Sequence, residues 1–445
     1  MTEQLATSRR REIVGLAVPA FLALVAEPMF LLADAAIIGH LGTSELAGLG
    51  VAAAVLQTLV GLCVFLAYGT TASVARRLGA GDVRGALGQG VDGLWLAILI
   101  GVPVTILGML LTTPLVEAFG AGSETTGHAA TYLRLALLGT TPLLMMLAAT
   151  GVLRGLQDTR TPLVVAVAGN GLNIALNLLL VYGVGSINGL GIAGSAIGTV
   201  LAQVASAAAL VWVVVRAARR ENAPLSPDRP GITAAARAAV PLVVRTLTLR
   251  AALLVTTYAV VVAGHGRATE LATHQLAFTI WTFLAFALDA LAIAAQAITG
   301  RYLGAGDVIG TRQVTAQMIR WGIGAGVVCG VLLAASSPLL GPLFSDDPRV
   351  HDLLVPVLVV AAIGQPVAGI VFVLDGVLIG AGDGRYLAWA GVVVLAMTTP
   401  AILVAAFVTH SLVWVWIAFT VVFMGGRCWL LTRRARDDAW LVTGA

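Results

Sequence analysis

The chain has 445 residues, 59% of them hydrophobic and 11% charged, with a mean hydropathy of +0.96. Apolar runs of about twenty residues or more recur along it, which excludes a soluble domain built round one core and calls for transmembrane helices. The net charge of +4 is carried on arginine, with no lysine, and the arginines sit in short connections between apolar runs rather than on a basic face, so a nucleic-acid partner is excluded as well.

The polar opening, Met1 to Glu12, leads into an apolar segment too long for a signal-peptide core and without a small-residue cleavage site after it, so the first helix is expected to be retained. Apolar windows predict an all-α polytopic membrane protein of twelve spans, at roughly 13–38, 46–74, 89–112, 129–153, 161–183, 191–216, 235–263, 270–298, 314–338, 350–374, 387–408 and 411–431. Arginines cluster before span 1 (Arg9, Arg10, Arg11) and after the even-numbered spans, as with Arg76, Arg77 and Arg84 after span 2 or Arg433, Arg434 and Arg436 at the chain's end. The opposite connections hold only Arg267 and Arg349, so the positive-inside rule puts both termini in the cytoplasm.

Span 1 carries two acids, Glu27 and Asp34, seven residues apart and therefore on one helix face. A carboxylate is costly in hydrocarbon and by default marks a pathway; the plainer alternative is a structural ion pair. Pro19 and Pro28 in the same span each remove a backbone hydrogen bond, which makes the helix a candidate hinge. Span 5 carries Asn170, Asn173 and Asn177 on one stripe. Amides there can hydrogen-bond an acid without the fixed counter-charge that would lock it ionised, although asparagine also serves as plain interhelical glue.

An internal repeat divides the chain. Leu78 to Asp82 and Leu303 to Asp307 share the string Leu-Gly-Ala-Gly-Asp, 225 positions apart, and at the same offset Glu45-Leu46-Ala47 recurs at Glu270 and Gly151-Val152-Leu153 recurs at Gly376. The prediction is two six-helix lobes of like orientation, residues 1–220 and 233–445, joined by a proline-rich cytoplasmic linker at 221–232 and enclosing a central cavity. In span 8, Gln275, Thr282, Asp289 and Gln296 recur every seven residues, and the repeat offset adds Gln57 and Thr71 of span 2 as a sparser counterpart, so these six are the candidate cavity or substrate residues. Asp375, close to the cytoplasmic edge, is expected to contact a loop arginine, Arg245 and Arg250 to snorkel to the interface, with a pairing to Asp289 or another acid as the alternative for Arg245, and His274 to lie at the surface. Cys63, Cys329 and Cys428 are scattered packing residues, giving neither disulfide nor metal-ligand spacing.

The stretches Leu32 to Leu41, Gly169 to Asn173, Phe286 to Asp289 leading into Gly304 to Asp307, and Leu374 to Gly376 with Ile379-Gly380 resemble the MATE (multidrug and toxic compound extrusion) transporters, nearest the branch named after the DNA-damage-inducible protein DinF. The resemblance implies a V-shaped bundle and a monomeric, multi-pass exporter of the bacterial plasma membrane. It exchanges a proton, or in some relatives sodium, for a small organic and often cationic, amphipathic compound. It implies no enzyme activity, no cofactor and no resident metal. Asp34 would be the protonation site, with Asn173, Asn177 and Thr199 as its network. Several relatives carry aspartate where this chain has Asn177, which favours proton over sodium coupling here, while Glu27 could supply the missing acid and keep sodium open. A lipid or lipid-linked glycan flippase of the wider superfamily would need more cavity arginines than Arg245 and Arg250. The expected mechanism is that ionised Asp34 favours the substrate-holding state and that protonation from outside bends span 1 at Pro28.

Overall fold

The structure, a computed structural model, describes residues 2–184, 187–265 and 267–444; the side chains of 2–9, Glu27, 184 and 187 lie outside the described part. In the first half run α1 (Thr2–Gly39), α2 (Thr43–Cys63), α3 (Phe65–Gly79), α4 (Val83–Glu117), α5 (Ser123–Leu137), α6 (Thr140–Gly155), α7 (Arg160–Tyr182) and α8 (Ile192–Arg220). In the second run α9 (Arg229–Ala263), α10 (Ala268–Gly304), α11 (Val308–Phe344), α12 (Pro348–Gly380), α13 (Gly384–Thr409), α14 (Leu412–Ala418), a π-helical segment Phe419–Met424 and α15 (Gly425–Arg436). Among the described residues the sole strands are β1 (Gly183–Val184) and β2 (Ile187–Asn188), an antiparallel pair between α7 and α8.

Eleven helices are long and apolar enough to cross a membrane, and a twelfth span is made by α5 and α6 together, bent by 49°. The twelve-span, nearly all-helical reading therefore stands, with one bend that hydropathy did not show. Its cause is local: Gly139 lies in the break, and Pro142 has no N–H to offer the carbonyl of Leu138. Helices α4, α10, α11, α12 and α13 overrun their apolar windows at both ends, α4 by a turn or more, because a helix continues through the polar interface once its hydrogen bonding is established.

The chain divides into two compact units, Val18–Ala239 and Met1–Ala17 with Val240–Ala445. The proline-rich link belongs to the first of these. Asp92 of α4 accepts from the backbone N–H of Asp228 at 3.1 Å, and Trp95 Nε1 donates to the Leu225 carbonyl at 3.1 Å. Each unit has its own apolar core, one around Ile38, Leu133, Val181 and Ala196, the other around Leu358, Val394, Trp416 and Phe423.

The 225-residue repeat is visible as repeated geometry. In both copies of Leu-Gly-Ala-Gly-Asp the second glycine takes a left-handed φ (79° at Gly81, 75° at Gly306), and the aspartate caps the next helix, Asp82 Oδ1 accepting from Gly85 N at 2.8 Å and Asp307 Oδ1 from Gly310 N at 2.7 Å. The helix crossings repeat too. Gly151 and Gly155 let α6 lie against the carbonyls of Ala67 and Thr71, while Gly376 and Gly380 let α12 lie against those of Ala292 and Gln296, each pair 225 positions apart. Lipid supplies no hydrophobic drive between helices, so association depends on close contact of this kind, which a Cβ would block.

Asp82→Ala and Asp307→Ala are each expected to cost about 1 kcal/mol through loss of the cap, with Asn at either position retaining most of it. Thermal unfolding of the detergent-solubilised variants against the parent chain measures this.

Candidate functional site

Asp34 lies in the last turns of α1 and is buried, 4% exposed. Three helices supply its partners. From α7, Asn177 Nδ2 donates to Asp34 Oδ1 at 2.6 Å; from α8, Ser195 Oγ donates to the same oxygen at 2.8 Å; and from α5, Tyr132 OH donates to Oδ2 at 3.4 Å. The network continues outward, with Asn177 Nδ2 also donating to Asn173 Oδ1 at 3.0 Å and Asn173 Nδ2 to Thr199 Oγ1 at 3.0 Å. Asn173, Asn177 and Ser195 are buried, and Thr199 is 8% exposed. No arginine or histidine pairs with Asp34 among the described residues. Its negative charge is met only by neutral donors, which stabilise an anion without pinning it.

The sequence dictates this gathering through spacing. Asn173 and Asn177 are four apart in α7, and Ser195 and Thr199 are four apart in α8, so each helix offers two polar groups on adjacent turns of one face. Gly198 lies between the two in α8, and a Cβ there would collide with Asn177 Oδ1. That oxygen is buried and, among the described residues, has no hydrogen-bond partner. Asn170, one turn earlier, bonds differently: its Nδ2 donates to the Ala26 carbonyl at 3.0 Å, in the turn of α1 that Pro28 interrupts. Tyr182 OH ties the other end of the same stretch, donating to the Ile37 carbonyl at 2.7 Å. Helix α1 runs unbroken through Pro19 and Pro28.

Asp34, Asn173, Asn177 and Thr199 thus form one network, and Asn170 buttresses its helix. The side chain of Glu27 lies outside the described residues. Of the six seam residues, Gln57 and Thr71 fall in one unit and Gln275, Thr282, Asp289 and Gln296 in the other. Gln57 and Gln275 are exposed, and Thr282 and Asp289 are half-buried. Thr71 is buried with its hydroxyl donating to the Ala67 carbonyl of its own helix at 2.8 Å, and both Thr71 and Gln296 sit at the glycine crossings described above.

Two expectations are corrected. His274 is 1% exposed, not a surface residue, with Nε2 against Thr257 Oγ1 at 3.1 Å and its ring beside Trp416. Asp375 contacts no loop arginine among the described residues; its Oδ2 accepts from Arg245 in α9 and Arg427 in α15. Arg245 accordingly pairs with an acid, one of the two outcomes expected for it. Sequence reasoning missed Ser195 and Tyr132. Ser195 carried a usable signal, its four-residue spacing to Thr199, and Tyr132 carried none.

A many-span helical chain with one deep carboxylate held by neutral donors has the make-up of a membrane transporter. The MatE family model matches residues 19–179 and 246–402. The chain belongs to that family and is a multi-pass membrane transporter, not an enzyme. It is 31% identical over 420 residues to Protein DETOXIFICATION 44, chloroplastic, of Arabidopsis thaliana, spanning 91% of this chain and 78% of that one. It is 29% identical over 384 residues to the DNA damage-inducible protein F of Escherichia coli, spanning 84% and 81%. Among solved structures, a MOP superfamily transporter from Pyrococcus furiosus superposes with a TM-score of 0.87 at 23% identity, over 97% of this chain and 96% of that one, and shares the fold.

Gly198→Ala is expected to push the Asn177 amide away from Asp34 and to cut transport at least severalfold, while Gly171→Ala, on an open position of α7, leaves it unchanged. Transport rates of the two variants in proteoliposomes, at matched protein content, check this.

Proposed function

We propose that the protein is a proton-coupled antiporter that exports small organic, amphipathic compounds from the cytoplasm by alternating access, with Asp34 as the proton carrier. The observation that carries this reading is the set of partners on Asp34. Asn177, Ser195 and Tyr132 all present hydrogens to the carboxylate, and none brings a positive charge. A proton can then arrive without displacing a counter-ion.

The network also contains a second state. A protonated carboxyl becomes a donor and needs an acceptor. Asn177 Oδ1, buried and unpartnered beside it, meets that need if the amide turns over, at the expense of its present bonds to Asp34 and Asn173. Protonation therefore rewrites the contact between α1 and α7. A coupling ion drives a cycle only through its different affinity for two states, about 1.4 kcal/mol for each unit of pKa difference between them. Pro28, six residues before Asp34, gives α1 a place to respond.

Sodium is the second reading, and the same Asn177 Oδ1 favours it, since a reversed amide would offer a cation an oxygen next to the carboxylate. Against it, the side chains around Asp34 are oriented as donors. The arginine distribution supports a cytoplasmic location for both termini, in a bacterial plasma membrane. Amphipathic cations are the first substrates to assay.

Purified protein in liposomes, loaded with a fluorescent organic cation, separates the readings. A pH gradient alone should drive transport and Asp34→Asn should abolish it, with the variant still folded. Wild-type rates in Asp34→Asn reject the proposal, and transport driven by a sodium gradient alone replaces it with the sodium reading.

A further inference from the structure

The second unit contains a charge cluster that proton coupling at Asp34 does not use. Asp375 of α12 is 5% exposed, and a single oxygen, Oδ2, accepts from two guanidiniums, Arg245 Nη2 at 2.6 Å and Arg427 Nη2. Arg427 is itself buried. Its other contacts are Met424 Sδ at 3.9 Å and the face of Phe423, 5.5 Å to the ring centroid. A guanidinium carries five N–H donors in a fork suited to two oxygens of one oxyanion, and Arg427 instead shares one oxygen with a neighbour and turns another N–H to a thioether, a weak acceptor.

Stability does not account for such a group. Replacing a buried ion cluster by apolar residues is often neutral or stabilising, and a cation at membrane depth is costly and functional by default. The helix bearing Arg427 also departs from regular geometry just before it, in the π-helical segment Phe419–Met424, a form found mostly at functional sites. On the same face as Arg427, at spacings of three and four, stand Trp416, Phe419 and Phe423, with ring centroids 5.7 and 4.9 Å apart in succession. Trp281 of α10, only part-buried, meets Phe419 edge-on at 5.4 Å. Trp416, Phe419 and Phe423 are core residues, 1–2% exposed, so the guanidinium stands at the edge of the unit's aromatic core.

We propose that Arg427, with Arg245, docks the oxyanion end, carboxylate or phosphate, of an aromatic or otherwise amphipathic anion or zwitterion, and that Asp375 is an internal stand-in which the ligand displaces. This deepens the transporter reading by naming the charged end of a cargo and rests on that reading for the export step alone. The oxyanion has two sources, a soluble organic carboxylate or the headgroup of an anionic lipid.

The test is binding at equilibrium, with no gradient, so a failure of proton coupling at Asp34 leaves it untouched. The full chain in neutral detergent is titrated with 2-naphthoate, with phosphatidylglycerol, and with 2-naphthyl-trimethylammonium as the opposite-charge control, and thermal unfolding is followed. The expected result is that naphthoate raises the unfolding temperature of the wild type and half-saturates Asp375→Asn at a concentration at least tenfold lower, that Arg427→Gln loses the response and Arg427→Lys keeps part of it, and that the cation gives none of this pattern. The same pattern with phosphatidylglycerol in place of naphthoate supports the site and assigns its source to lipid. Asp375→Asn that is destabilised and insensitive to both anions overturns the proposal and makes the cluster a structural clasp. Where Asp375→Asn does not fold, tryptophan fluorescence of the folded parent decides: a saturable anion response weakened in Arg427→Lys supports the site, and an identical response in both, or none in the parent, overturns it.

Discussion

A buried carboxylate persists only when something nearby replaces the water it has lost, and what replaces it shapes what the group can do. The protein contains two solutions. At Asp34 the replacement is neutral, an amide, a hydroxyl and a phenol donating to the two oxygens. At Asp375 it is charged, two guanidiniums on one oxygen. Neutral donors favour the anion but leave no buried cation behind when a proton replaces the charge, and among the described residues Asn177 Oδ1 is an unpartnered oxygen nearby. Guanidiniums differ, because neutralising their carboxylate leaves buried cations behind; they exchange one anion for another far more readily than they accept its loss.

The internal repeat sharpens the contrast. Helix ends and crossings are duplicated down to individual atoms, in the aspartate caps at Asp82 and Asp307 and in the glycines at 151, 155, 376 and 380 that admit a neighbouring carbonyl. The polar sites are not duplicated. At the same offset Asp34 falls on Ala259 and Asn177 on Ile402, while Asp375 falls on Thr150 and Arg427 on Ala202. Packing constraints act on both halves alike, since each must exclude lipid from its interior by the same backbone contacts. Charge is under no such symmetry, because each buried acid must be met by its own partners, and neither Asp34's nor Asp375's are repeated at the offset.

What was legible in the sequence follows from how far each signal depends on a single helix. Asp34 stood out because an acid in an apolar span is conspicuous on its own, and Asn173 with Asn177 because both lie on one face of one helix. The spans and the repeat were legible for the same reason. Tyr132 was not, since a tyrosine in an apolar segment is ordinary and only the approach of α5 to α1 gives it a role. The seven-residue seam of Gln275, Thr282, Asp289 and Gln296 shows the opposite limit. Periodicity reports a shared face but not what the face meets, and part of this one meets the glycines of α12 at a tight crossing. The bend between α5 and α6 was hidden from hydropathy because Gly139 and Pro142 alter hydrogen bonding without altering apolarity.

Helix α1 connects the chemistry at Asp34 to the rest of the molecule. Its opening residues, through Ala17, belong to the unit that also contains α10, where Arg301 pairs with Glu12, whereas the residues from Val18 onward belong to the unit that contains Asp34 and all its partners. Between Glu12 and Asp34 lie Pro19 and Pro28, the two positions where the ladder of backbone hydrogen bonds is missing a rung. Asn170 holds the Ala26 carbonyl on one side of Pro28, and Tyr182 holds the Ile37 carbonyl on the other. A helix fixed at several points and weakened at two between its ends bends at the weak points when one attachment changes. Asp34, bonded from α5, α7 and α8, is one of those attachments, and under the proton-coupled reading it is the one whose hydrogen bonds change with protonation.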